Sequence, residues 1–150
     1  MKKKILTFMA FAFCLSVFSQ NVNLSKLDSI GKAEYLTKKA LEVASYFCPK
    51  VYKEYGTPDI SDAIEYRSTR PEDQANVGRK FYKVCFKRNH KNEILDWRYM
   101  SKIWIWEDNG EPLGVYYGDG MGRGFEFHPY DQWIKEGVEE KDQMPTYPKN

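Results

Sequence analysis

The dipeptide Asn109-Gly110 lies between two short runs of alternating residues, and it constrains the fold more than any other feature. Asn-Gly tolerates positive φ at both central positions of a tight turn, the geometry that matches the twist of two antiparallel strands. A two-residue loop pairs Asp108 with Glu111, Trp106 with Leu113, and Trp104 with Val115. In that register Glu107 and Pro112 form a non-hydrogen-bonded pair, and the proline's missing N–H does no harm at a strand edge. Trp104 and Trp106 then share one side of the ribbon with Leu113, Val115 and Tyr117, while Ile103 and Ile105 share the other with Tyr116. A hairpin that is apolar on both sides needs cover on both sides.

One cover is legible upstream. Leu36, Ala40, Val43, Ala44, Phe47, Val51 and Tyr55 recur at three- and four-residue steps and make one apolar stripe, which predicts a helix within 24–55. Ser25 with Asp28 resembles a capping box at its start, and Gly56 followed by Pro58 suits its end. Pro49 interrupts the stripe, so the helix is expected to kink there or to restart with Pro49 in its first turn. Ile60, Ala63 and Ile64 fit a short second helix capped by Asp59, although Ile60, Ile64 and Tyr66 also fit alternation. Residues 69–78 read as polar loop.

From Gly78 the period becomes two. Tyr82, Val84 and Phe86 alternate with Lys83, Cys85 and Lys87, as a strand with one wet face does. After a polar loop around His90, a second strand is expected over about Tyr99–Glu107, followed by the third beyond Asn109-Gly110. Gly118–Gly124 reads as another turn, Phe125–His128 as a short strand, and Pro129–Gly137 as a brief helix carrying Tyr130, Trp133 and Ile134. The polar stretch 138–150 is expected to fray. The expectation is an α+β domain over 20–137, with a long N-terminal helix packed on a four-stranded antiparallel meander and a short C-terminal helix.

Lys2, Lys3 and Lys4 precede an apolar run, Ile5–Phe18, and Val17-Phe18-Ser19 offers a cleavage site. This is the pattern of a secretory signal peptide over 1–19, too short for a spanning helix. Phe13 before Cys14 argues against a lipoprotein site. Export is therefore expected, with no stable membrane insertion after cleavage near Ser19. Losing three lysines would turn the formal charge from +2 to −1 and remove any global attraction for nucleic acid. Cys48 and Cys85 remain, and an oxidising compartment favours their pairing over two buried thiols. Such a bridge would add ~3–4 kcal/mol in the chain-entropy account.

Chemistry is sparsely signalled. No H-x-x-x-H or C-x-x-C spacing is present, so no metal or other cofactor is expected. Glu126, His128 and Asp131 form the one small polar group worth testing, although an acid such as Asp131 in a first helical turn has an ordinary electrostatic role. The glycines of 118–124 join strand to strand and lack G-K-[ST], which favours a flexible connection over a phosphate loop. Residues 67–102 hold ten Lys/Arg against four Asp/Glu, and 103–142 hold three against ten, an asymmetry that cross-strand pairing can neutralise.

The leading expectation is a non-enzymatic exported domain that engages a protein partner, an inhibited enzyme being one form of it. Trp104, Trp106, Leu113, Val115 and Tyr117 would supply the contact. The alternative is a small-molecule or glycan pocket with weak hydrolase activity through His128 and Glu126. A third reading is a structural envelope component.

Overall fold

The computed structural model describes residues 21–87 and 99–145. The expected signal peptide over 1–19, the expected loop around His90 and the last five residues lie outside the described residues. The chain is α+β, with helix α1 (Ser29–Phe47), strands β1 (Asp59–Ile60), β2 (Ile64–Glu65), β3 (Lys80–Lys87), β4 (Tyr99–Trp106), β5 (Pro112–Tyr117) and β6 (Gly122–Gly124), and helix α2 (Tyr130–Glu136). The antiparallel sheet runs β1-β3-β4-β5-β6, with β2 also beside β3.

Asp28 rather than Ser25 starts α1, because its carboxylate accepts from the Gly31 N–H at 2.8 Å. Asn23 performs the same service for a single 3-10 turn at Leu24–Lys26. The helix does not kink at Pro49; it stops before it. A proline crowds the residue preceding it out of helical geometry, and Cys48 has φ −127° and ψ 45°. Tyr55 still packs against the core, half-buried, and is reached by a second 3-10 turn at Tyr52–Glu54. Its ring stacks on Phe86 at 4.5 Å, and Ser101 donates to its hydroxyl.

The face of α1 carrying Leu36, Ala40, Val43, Ala44 and Phe47 packs on Tyr82, Val84, Phe86, Ile103, Ile105, Val115 and Tyr117. These strand residues alternate along β3, β4 and β5, so one side of the sheet is committed to the helix. The short second helix expected over 60–68 is instead β1 and β2, two pieces of an irregular edge along β3. Alternation prevailed there because the edge of β3 offered hydrogen-bond partners that an isolated two-turn helix lacks. The last strand is Gly122–Gly124, three residues earlier than expected.

The C-terminal stretch does not fray at its start. Met144 is buried and its N–H donates to the Phe47 carbonyl, while Arg123 pairs with Asp142 at 2.8 Å. Tyr117 bridges these parts, its hydroxyl donating toward the carbonyls of Phe47 and Asp142. Capping the end of α1 in this way supplies acceptors and donors that frayed residues would leave to water.

Candidate binding face

The hairpin register decides which side chains face where. Gly110 has positive φ and Asn109 does not, so the two-residue turn is not formed. Trp106 pairs with Glu111 through its N–H, and Gly110 donates back to the Trp106 carbonyl, which closes a four-residue loop. The Asn109 side chain accepts from the Glu111 N–H instead of occupying the left-handed region. Gly110 is required for a second reason: a Cβ there would meet the Tyr35 hydroxyl at 2.6 Å.

Beyond the loop the register slips. Ile105 lies opposite Pro112 and Trp104 opposite Gly114, leaving Leu113 as the extra residue of a bulge. Val115 therefore pairs with Ile103 and Tyr117 with Ser101, on the α1 side, and Tyr116 moves to the tryptophan side. One inserted residue exchanges the faces of every side chain beyond it.

The tryptophan side has its own cover. Phe81, Trp106 and Leu113 form a second small core, flanked by Ile64, Tyr66 and Trp104. The Arg79 guanidinium lies 3.9 Å from the Trp106 ring centre and grips Asp108 through two bonds of 2.8 Å. Of the five residues expected to dock a partner, Trp106 is 6%, Leu113 1%, Val115 0% and Tyr117 3% exposed. Burial inside the chain removes these four as contact residues. Trp104 alone remains half-buried.

Around Trp104 the face is ordered. Phe81, Trp104 and Tyr116 form a diagonal row across three strands, with ring centres 4.9 and 4.4 Å apart. Gly114 and Gly122 lie opposite Trp104 and Tyr116 in register. The Tyr116 ring lies over both, for a Cβ at Gly114 would come within 3.0 Å of it and one at Gly122 within 2.8 Å. Burial, with Glu126 next in effect, pushes the Tyr116 hydroxyl up to about 12, so it stays protonated. On the other flank of the row, Lys83 is paired in register with Trp104, and Lys102 with Cys85 and Tyr116. The Lys83 ammonium sits 5.0 Å from the Trp104 ring centre, and that of Lys102 sits 3.6 Å from Tyr99. Among the described residues, no carboxylate lies within ion-pair distance of either lysine. Sequence reasoning missed Phe81, Lys83, Lys102 and Tyr116, although the alternation of β3 already separates Phe81 and Lys83 from the helix side.

The polar group Glu126, His128 and Asp131 is not assembled. His128 Nε2 lies 2.9 Å from Glu136 but without hydrogen-bond alignment, and its ring packs edge-on against Trp133. Asp131 reaches Lys135 at 3.7 Å, and the Glu126 carboxylate turns toward Gly124. Among the described residues there is no group of three His, Cys, Asp or Glu able to hold a metal. A cleft of about 300 Å³ opens between the hairpin loop and the start of α2, and Asp131 is the one member of the group that lines it.

The expected disulfide is absent: both thiols are free. Cys48 lies in the core beneath α1, whereas Cys85 is offset by one residue from Val84 and Phe86 and so projects from the other side. The sheet stands between them. Burial pushes the Cys48 thiol up to about 12, partly offset by hydrogen bonds to Tyr55 and Ser101. Burial also raises Cys85, against a smaller lowering by Lys102 and Lys83.

No family model, curated protein or solved structure matches this chain. No helix among the described residues is long and apolar enough to cross a membrane.

Proposed function

We propose that this chain is an exported, non-catalytic binding domain that engages a protein partner through the outer face of its sheet. The contact surface centres on Trp104 and Tyr116 with Lys83 and Lys102, a smaller and differently placed patch than the full hairpin. The observation that carries this reading is the half-buried Trp104–Tyr116 pair beside two lysines that, among the described residues, have no carboxylate within ion-pair distance. Aromatic rings and flexible cations concentrated on a rigid sheet are what partner surfaces use as anchors and steering charges. Export rests on the basic and apolar pattern of residues 1–19.

The test replaces Lys102 with a photoreactive benzoylphenylalanine in the full chain, expressed in its own host. Lys38, on the exposed side of α1, is the control position. The expected result is a discrete protein adduct from position 102 that disappears with Trp104→Ala and is absent from position 38. Identical adducts from both positions, or none from either, would overturn the proposal.

A further inference from the structure

The chemistry of the outer face specifies its partner more narrowly. Resting on the reading above, we propose that the occupant is an extended acidic segment of the protein partner, with carboxylates on alternate residues. Lys83 pairs with Trp104, and Lys102 pairs with Cys85, so the two lysines are diagonal neighbours on adjacent strands. Diagonal positions are about 7–8 Å apart. In an extended peptide, residues two apart point the same way and are separated by about 6.6 Å. Two carboxylates at that spacing match the two lysine positions, and each ammonium meets its carboxylate by swinging off the ring it now covers, Trp104 for Lys83 and Tyr99 for Lys102.

The neighbours sharpen the choice. Lys87 extends the basic row along β3 but is already paired with Asp59 at 3.0 Å. On the opposite flank Glu126 raises the Tyr116 hydroxyl and Arg70 partly offsets it, so that side offers an anion no unopposed positive charge. Carboxylates are thus directed to the lysine flank, while the intervening backbone or apolar groups of the segment lie along Trp104 and Tyr116. Lys83 now covers the Trp104 ring at 5.0 Å; pairing with a carboxylate draws its ammonium aside and frees the ring face.

The probe is acetyl-(Glu-Gly)4-amide added to the full ¹⁵N-labelled chain, with acetyl-(Gln-Gly)4-amide as the neutral control. The expected result is a shift of the Trp104 indole N–H resonance with the acidic peptide alone, and an affinity reduced about tenfold in K83Q/K102Q. Raising the salt concentration should weaken binding as well. Melting temperature shows that the double variant folds. No shift, or equal shifts with both peptides, overturns the acidic-segment assignment. A shift with oligogalacturonate and none with the peptide also overturns it, in favour of an acidic glycan. If lysine neutralisation changes nothing while Trp104→Ala still abolishes the position-102 adduct, the acidic partner is wrong and the binding face stands. Loss of both signals removes both proposals.

Discussion

The two sides of the sheet solve the same problem at different scales. On the inner side α1 lays a continuous stripe over three strands, and every sheet residue in contact with it is buried. On the outer side the cover is an irregular edge and a loop, which seal Phe81, Trp106 and Leu113 and stop short of Trp104. A helix covers area in proportion to its length, whereas a loop covers area only where individual side chains reach across. Tyr66 and Arg79 reach Trp106. Two tryptophans on one strand, two residues apart and facing the same way, therefore have different fates.

The largest effect should come from the inner side. Phe47 is fully buried, with Phe125 at 5.4 Å and Trp133 at 6.0 Å, and its carbonyl also anchors Met144. Phe47→Ala should cost about 3–5 kcal/mol in denaturant unfolding. A loss below about 1 kcal/mol would show that the helix is not the principal cover.

The two tryptophans sharpen the comparison. Trp106→Ala should cost about 3 kcal/mol, because it opens the small core and strands the Arg79 guanidinium over a void. Trp104→Ala should cost about half of that, since its ring already meets solvent. In a Trp97→Phe/Trp133→Phe background, iodide should quench Trp104 and spare Trp106, and Trp104→Phe should remove the quenched component. Equal quenching of the two, or equal costs, would erase the distinction between sealed and open halves of this face.

Much of this was written in the local pattern. The stripe of α1, the alternation of β3 and the meander all follow from periodicity, because a period reports which face is buried. The hairpin register did not follow, and the site moved with it. Asn109-Gly110 predicts a turn correctly, but the number of loop residues depended on Tyr35 packing against Gly110 and on the Leu113 bulge. Those are contacts between residues far apart in sequence. A one-residue error there placed Val115 and Tyr117 on the wrong side and hid Tyr116. The cover supplied by 64–79 was hidden for the same reason, since Tyr66 and Arg79 look like loop residues until β3 brings them to Trp106.

A smaller effect concerns the clasp over Trp106. The Arg79 guanidinium bonds to Asp108 and holds its carboxyl below the ordinary carboxylate range. An unfolded aspartate titrates near 3.9, so the pair stabilises the fold above about pH 4. That contribution is lost as pH falls through the lower folded value. Both side chains are partly exposed, and the contribution should be about 1 kcal/mol or less. Asp108→Asn should therefore lower stability at neutral pH by that amount and flatten the acid limb of the stability curve. An unchanged acid limb would mean that Arg79 covers the ring by stacking alone.

The smallest expected effect is no change at all, and it probes the sheet as a barrier. Cys48 and Cys85 occupy opposite sides, so reductant should leave the melting temperature of a chain lacking residues 1–19 where it is. Thiol labelling of the native chain should instead distinguish the sides. Cys85 is half-buried on the open face, and Cys48 is sealed beneath α1 with its thiol raised to about 12. Reaction with Ellman's reagent needs access and a thiolate, so Cys85, accessible but with its thiol raised by burial, should react in the native chain more slowly than a free thiol, and Cys48 only as fast as the chain unfolds. Simultaneous reaction of both would mean that the inner side opens as easily as the outer, and a disulfide in the native chain would require a different path for β3.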